Sequence, residues 1–356
     1  MKAVFLRGHG GFEQLEYRED VPVPILRAGE VLIRVGAAGV NNTDINPRTG
    51  WYSRSVTEGT TTQAGASGIA AARAEDAGWT GSPPAFPRIQ GADACGHIVA
   101  VGEGVESRRI GERVLIEPVF QIPNSAGEPQ AIYFGSECDG AFAEFTRVPS
   151  VHARAINCNL SDAQLASFPC AYSAAENMLT RLNLRPGQTV LVTGASGGVG
   201  SAAVQLATRR GATVLAMAGA SKAEAVLSLG AARVIASNAD PVKEFGREKV
   251  DAIVDVVGGG HFPALLEVLR RGGAYAVAGA IAGPLVELDL RTLYLKDMRL
   301  IGCTVLEREV FGHLIEYIEA GEIRPLVATT HPLSAIVPAQ QEFLAKRLMG
   351  KIILLP

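Results

Sequence analysis

Between Val190 and Ala207 the chain reads VLVTGASGGVGSAAVQLA, and its glycines are spaced to hold a phosphate. Ala195, Gly197 and Gly200 take the three positions of a G-x-G-x-x-G turn, with Ala195 standing for the first glycine. Gly197 lets backbone approach a pyrophosphate, Gly198 and Val199 carry the turn onward, and Gly200 lets helix pack on strand. The apolar residues Val190–Val192 form the strand before it. The segment Ser201–Arg210 forms the helix after it, whose opening N–H groups face negative charge. Strand, glycine turn and helix in that order point to a dinucleotide.

A site for NAD places a carboxylate about twenty residues further on, against the ribose 2′-hydroxyl. Here the second strand runs out as Val214-Leu215-Ala216-Met217-Ala218-Gly219-Ala220 with no acid, and Ser221 and Lys222 follow. After the Gly219 turn, a hydroxyl at Ser221 and an ammonium at Lys222 suit a 2′-phosphate, so the expected cofactor is NADP(H). The competing reading makes Ser221 a helix cap and leaves Lys222 in solvent. Gly258 and the run Gly279-Ala280-Ile281 fall at the carboxyl ends of later strands. A doubly wound sheet binds its ligand there, and these loops are expected to touch ribose and nicotinamide.

The elements that must carry these residues are legible from Leu182 onward. Strand patterns at Val190–Thr193, Thr213–Met217, Arg233–Ala236, Asp251–Val257, Ala274–Ala278 and Arg299–Cys303 alternate with helical ones at Ser201–Arg210, Ser221–Leu229 and Phe262–Arg270. That alternation predicts an α/β domain, a Rossmann-type doubly wound parallel sheet covered on both faces. The earlier part is β-rich, with short apolar runs at Val31–Val35, Ile98–Val101 and Arg113–Ile116 bounded by Gly, Pro or Asn. Two segments fit neither pattern. Ser53–Pro87 is rich in Thr, Ser, Gly and Ala, and its length predicts a lid or mobile insertion. Glu117–Glu137 is a second irregular stretch with three prolines.

Composition narrows the class. Of 356 residues, 47% are apolar and 19% charged, an ordinary globular balance. A net charge of −3 offers nothing to nucleic acid or an anionic membrane. No apolar run approaches the roughly twenty residues that cross a bilayer, and the first twenty residues do not read as a secretory signal. Five cysteines without a C-x-x-C pair fit reduced thiols in the cytoplasm.

Several motifs, taken together, resemble the medium-chain dehydrogenase/reductase superfamily nearly end to end. They are Gly29–Val35, Gly39-Val40-Asn41-Asn42-Thr43-Asp44, Gly91–Gly102 with Gly111–Val114, Asp139–Phe145, and Gly350–Leu354. The resemblance implies a β-rich, GroES-like catalytic domain at 1–171 completed by 305–356, with an NADP-binding Rossmann domain at 172–304. In the zinc alcohol dehydrogenases of that superfamily a cysteine, a histidine followed by glutamate, and a later cysteine or aspartate hold the catalytic metal. The matching positions here are Asn41, Ala92 with Asp93, and Cys170. One thiol and an amide do not make a tetrahedral zinc site. The structural-zinc lobe needs four cysteines, and Glu117–Glu137 has none. No metal is expected.

The chain instead resembles the zinc-independent branch, zeta-crystallin-like quinone oxidoreductases and enoyl-thioester reductases, whose loop reads like Asn41…Asp44…Gly50-Trp51-Tyr52. That branch implies hydride transfer to a small-molecule quinone or α,β-unsaturated carbonyl. It also implies a homodimer paired through the strand near Arg299–Cys303. Tyr52 matches a proposed proton donor, and is otherwise an aromatic wall. Asn41 either orients the substrate carbonyl or ribose, or stabilises a tight loop. Arg48 either pairs with an anionic substrate or is solvated, and Cys170 is expected to be a small buried apolar group. The branch also places a tyrosine where this chain has Ser237, which implies a looser phosphate grip. Three other readings stay open: an enoyl-thioester reductase, a zinc-type alcohol dehydrogenase, and a non-catalytic binding protein.

Overall fold

A computed structural model describes residues 1–123, 127 and 129–356, which form two compact units. Residues 124–126 and 128 belong to the irregular stretch Glu117–Glu137, so that part of the sequence reading lies outside the described residues. Its flanks pair as an antiparallel ribbon, Val119–Pro123 with Pro129–Tyr133.

The first unit comprises Met1–Val56, Thr61–Cys170 and Arg324–Pro356. Its main sheet is built on β1 (Glu30–Gly39), which pairs antiparallel with β2 (Asp93–Val101) and β4 (Phe145–Pro149). Beyond β2 lie β3 (Arg113–Ile116) and β5 (Ala153–Ala155). The C-terminal strand Lys351–Leu355 pairs with the end of β1 and carries Val327–Pro332 outside it. Alternating Val31, Ile33 and Val35 face the core, beside Ile98, Val114, Phe142 and Val148.

The helix α1 (Asn42–Thr49) follows β1 directly. Asn41 at its N-cap and Asp44 three residues on start it, and Gly50 in the left-handed region, φ 78°, stops it. Arg48 on α1 is 0% exposed. It donates to the Gly10 carbonyl at 3.1 Å, the Gly65 carbonyl at 2.8 Å and Gln340 Oε1 at 3.0 Å, over the ring of Phe12. Neither expectation for Arg48, a substrate anion or solvent, holds. Burial lowers its guanidinium to about 10, Glu13 opposing.

The same bonds correct the reading of Ser53–Pro87 as a mobile lid. Arg48 ties α1 to α2 (Thr62–Ser67), whose N-cap Thr61 accepts from Ala64 N at 3.0 Å. Ile69 N donates to Thr49 O at 3.1 Å, Arg73 N to Ser53 Oγ at 3.0 Å, and Arg54 N to Asp76 Oδ2 at 3.1 Å. A segment cross-linked in this way is part of the scaffold.

The second unit comprises Thr57–Thr60 and Ala171–Ile323. Its parallel sheet contains β6 (Thr189–Val192), β7 (Thr213–Ala218), β8 (Arg233–Ala236), β9 (Val250–Asp255), β10 (Leu269–Val277) and β11 (Arg299–Gly302). The order across the sheet is β8-β7-β6-β9-β10-β11, which places the turn of strand order beside β6. The six strands predicted from sequence are these six, within one or two residues at the ends except that β10 starts at Leu269 rather than Ala274. The helix predicted at Ser221–Leu229 is shorter, Ala223–Leu227, with Lys222 rather than Ser221 at its N-cap.

Residues 305–323, which the sequence reading gave to the first domain, group with the second unit. Glu307 N donates to Asn177 Oδ1 at 3.0 Å. The Arg209 guanidinium lies 3.4 Å over the Tyr317 ring, and the helix Val310–Glu319 buries Val310, Phe311, Leu314 and Ile318.

Candidate active site

Strand register assembles the centre of the first unit. Gly39 at the end of β1 faces Asp93 on one side and Ile353 on the other. Continued two residues along the antiparallel pair, that register sets Lys351 opposite Asn41. Gly39 has to be glycine, because a Cβ would meet Asp93 Oδ2 at 2.7 Å and the Ala166 carbonyl at 2.9 Å. The three polar side chains then join. Lys351 Nζ donates to Asp93 Oδ2 at 2.6 Å and also to Asn41 Oδ1. Asn41 Nδ2 donates to Asp93 Oδ2 at 2.8 Å and to the Gly39 carbonyl at 3.2 Å. The side chains of Asp93 and Lys351 are 0% and 6% exposed. A buried charge is tolerable only when paired and hydrogen-bonded, and here each is both.

This corrects one expectation for Asn41. Its oxygen is held by an ammonium and both amide hydrogens are spent inside the protein, so it presents no donor to a substrate carbonyl. Its work is to hold the start of α1. There Asn41 N donates to Asp44 Oδ2 at 2.7 Å, and Gly91 N to Asp44 Oδ1 at 3.1 Å. Burial raises the Asp44 carboxyl to about 7 in spite of these N–H donors; Asp93 adds to the rise and Lys351 opposes it.

Asp93 also reaches the far side of the centre. Its Oδ1 accepts from Cys170 N at 2.6 Å, and Cys170 Sγ lies 3.0 Å from Tyr133 Oη. Cys170 is buried as predicted, but it is a hydrogen-bonded thiol rather than an apolar filler. Burial and the nearby Asp93 push that thiol up to about 11, so it carries its proton at neutral pH. The half-buried Tyr52 joins the cluster beside the Asn46 side chain, and burial pushes its phenol up as well. On α1, the Thr43 side chain bonds the Tyr133 phenol, and Asn46 Oδ1 is buried without a hydrogen-bond partner. Among the residues in this cluster, Asn41, Tyr52 and Cys170 were singled out from sequence. Lys351 and Tyr133 were missed. Lys351 stood in a recognised motif, Gly350–Leu354, yet no spacing joins it to Asn41.

In the second unit Gly197 is the N-cap of α3 (Gly198–Arg209), so Gly198, Val199 and Gly200 open the helix at the end of β6. A methyl on Gly200 would collide with the Gly194 carbonyl oxygen and Ala195 Cα. Helix and turn thus pack at backbone distance, and the cradle accommodates a pyrophosphate. Gly219, Ser221 and Lys222 form a short turn after β7, with Lys222 N donating to Gly219 O at 2.9 Å. Ser221 is exposed, and burial lowers the Lys222 ammonium.

The Gly258 loop is fixed by a residue that sequence reading passed over. Asp255 is fully buried at the end of β9. It accepts from Thr193 Oγ1 at 2.5 Å, Tyr275 Oη at 2.5 Å, Val257 N at 2.8 Å and Gly258 N at 3.1 Å. The Gly279-Ala280-Ile281 loop follows β10, and its Ile281 carbonyl accepts from Thr60 N at 2.9 Å.

Comparison with known proteins agrees with this geometry. The sequence model described as "Alcohol dehydrogenase GroES-like domain" matches residues 27–157, and that described as "Zinc-binding dehydrogenase" matches residues 198–320. The acryloyl-coenzyme A reductase of Metallosphaera sedula is 29% identical over 99% of both chains. A quinone oxidoreductase of Rattus norvegicus is 29% identical over 100% of this chain and 98% of its own. A solved structure from Sinorhizobium meliloti 1021, provisionally named an alcohol dehydrogenase, is 45% identical, with a TM-score of 0.87 over 100% of this chain and 96% of that one.

The zinc in the second description does not fit the residues present. Ala92 has no donor atom, Asn41 is bonded to Lys351, Asp93 is neutralised by the same ammonium, and the Cys170 thiol is protonated. No group of three or more His, Cys, Asp or Glu suited to a metal occurs among the described residues.

Two outcomes test this reading of the centre. Lys351→Met leaves Asp93 buried and unpaired, and urea denaturation should show a loss of about 3–5 kcal/mol; a loss below about 1 kcal/mol contradicts the pairing. For Asp44, the unfolded carboxyl ionises near 3.8 while the folded one keeps its proton to about 7. The folded state therefore binds the extra proton in that window, and stability falls as pH rises through it. The melting temperature of the wild type should drop more steeply between about pH 5 and 7.5 than that of Asp44→Asn. Parallel curves would show that Asp44 does not titrate there.

Proposed function

The chain belongs to the medium-chain dehydrogenase/reductase superfamily, an oxidoreductase family that takes a nicotinamide cofactor, and from that premise we propose an NADPH-dependent, zinc-independent reductase of quinones or α,β-unsaturated carbonyl compounds. One observation carries the proposal: the Lys351 ammonium, bound to Asn41 and Asp93, takes up the groups that would otherwise face a metal. Reduction of an isolated ketone concentrates charge on one alkoxide, which wants a cation. A conjugated acceptor spreads that charge, and neutral hydrogen-bond donors are enough. Relatives named acryloyl-coenzyme A reductase and quinone oxidoreductase support acceptors of this kind.

When bound, the nicotinamide supplies the hydride. The residues of this chain bind, orient and protonate. The turn Ala195–Gly200 would hold the pyrophosphate, Gly219, Ser221 and Lys222 the 2′-phosphate, and Gly258 and Gly279–Ile281 the ribose and nicotinamide. Tyr52, kept protonated by burial, is the proposed donor to the product. An enoyl thioester is one of the candidate acceptors; Arg48 is buried, and Arg54 and Arg73 are the exposed arginines of the segment Ser53–Pro87.

The proposed assembly is a homodimer. β11 is the edge of the parallel sheet, and Leu285, Val286, Leu290, Tyr294, Leu295 and Leu300 are exposed in the segment leading into it and on it. An open edge with apolar neighbours suits antiparallel addition of the same strand from a second copy. The five free cysteines fit a reducing compartment, the cytoplasm.

A panel of quinones, enones and enoyl thioesters, followed by absorbance loss of NADPH and separately NADH, tests the activity. Turnover of at least one conjugated acceptor is expected, while oxidation of neither cofactor with any acceptor overturns the proposal. Lys222→Ala should raise the Kd for NADPH about tenfold and leave that for NADH nearly unchanged. Equal losses would remove the 2′-phosphate contact. Light scattering should give twice the chain mass, and Leu300→Lys should shift it toward the monomer; a wild-type monomer would rule out the dimer.

A further inference from the structure

Tyr133 ends the ribbon Val119–Pro123/Pro129–Tyr133, and its phenol is buried in a polar corner of the first unit. The ring packs on Trp79, centroids 4.9 Å apart, a contact that phenylalanine would serve equally well. A buried hydroxyl is costly unless partnered, and its partners here are Cys170 Sγ at 3.0 Å, a weak one, and the Thr43 side chain. Cys170 is itself aimed by Asp93, which is fixed by Lys351. The phenol therefore stands at the end of a hydrogen-bonded line, Lys351–Asp93–Cys170–Tyr133. Tyr52 lies close enough that ionisation of either phenol would oppose the other. Beside the two rings, Asn46 Oδ1 is buried without a partner, which is how a protein marks a place for a polar ligand.

We propose that Tyr133 is a second donor of the reaction centre. The Cys170 S–H turns to Tyr133 Oη, and the Tyr133 O–H donates to the carbonyl oxygen of the acceptor. When hydride adds to the β-carbon, the C=C electron pair moves toward that oxygen, and the hydrogen bond from Tyr133 strengthens as charge arrives. Tyr52 then supplies the proton to the α-carbon and recovers one from solvent. The inference rests on the conjugated-acceptor reading for its chemistry, but not for its geometry.

The test uses Tyr133→Phe with two readouts. The first is turnover of the best acceptor in the panel, where kcat should fall about 10–100-fold with the Kd for NADPH unchanged. The second is equilibrium binding of p-nitrophenolate, an oxyanion mimic of the enolate, in the presence of NADP⁺ so that no hydride is available. Its Kd should rise about tenfold, and the absorbance shift on binding should shrink. Cys170→Ala should fall between wild type and Tyr133→Phe in both readouts, and Cys170→Ser, which keeps a donor to Tyr133, should recover most of that loss; this pair also serves if Tyr133→Phe folds poorly. Equal p-nitrophenolate affinity in wild type and Tyr133→Phe, or no binding by the wild type, overturns the proposal. Tyr133-dependent binding without turnover of any acceptor would sink the functional reading and leave this one standing.

Discussion

A lysine ammonium buried against an aspartate is the interaction on which the first unit depends. Lys351 and Asp93 come from strands 258 positions apart in sequence and meet on either side of the end of β1. Neither charge could be left in that position alone, at a cost of several kcal/mol. Their pairing locks the C-terminal strand, β2 and the start of α1 into a single register. It also fixes which way the Asn41 amide faces, and through Cys170 N it sets where the helix Pro169–Leu182 begins. The centre is thus a scaffold joint as well as a candidate site. The positive charge at this centre is the chain's own, the Lys351 ammonium.

The second unit solves a similar problem with a different balance. Asp255 is buried without a cation, and four donors, two of them backbone N–H groups, share its charge. Hydrogen bonds to an ionised carboxylate are roughly twice as strong as neutral ones, so this cluster holds the Gly258 loop firmly. Both units therefore use a buried carboxylate to pin a glycine-bearing loop at a strand end. In one the charge is neutralised, and in the other it is distributed. The difference follows from what each strand end can offer: β9 gives way at once to free N–H groups, whereas β2 begins with Asp93 already inside the sheet.

Local patterns were readable and long-range pairing was not. The six strands of the Rossmann-type sheet and its glycine turn are local features, set by apolar runs and by residues that only a turn tolerates. They were predicted to within a few residues. The boundary at 304 failed because residues 305–323 are held by Asn177 and Arg209, contacts made more than a hundred positions away. Ser53–Pro87 looked mobile because composition reports propensity only. Its order comes from Arg48, which no local rule would bury. The site behaved in the same way. Asn41, Tyr52 and Cys170 could be aligned to motifs, but the readings of Asn41 and Cys170 changed once Lys351 and Tyr133 were beside them.

The protonation of the centre also follows from its construction. Because Lys351 and Asp93 cancel each other, the surroundings of Tyr52, Tyr133 and Cys170 are poorly solvated without being strongly charged. Burial then raises all three groups, and each keeps its hydrogen at neutral pH. A thiol ready to ligate a metal would need the opposite, a neighbouring cation or helix terminus that lowers it. A centre of neutral donors is matched to the proposed acceptor, whose oxyanion charge is already shared with carbon. In the proposed reading the metal-free centre and the conjugated acceptor are one constraint, because the lysine that occupies Asn41 and Asp93 leaves neutral donors around the acceptor.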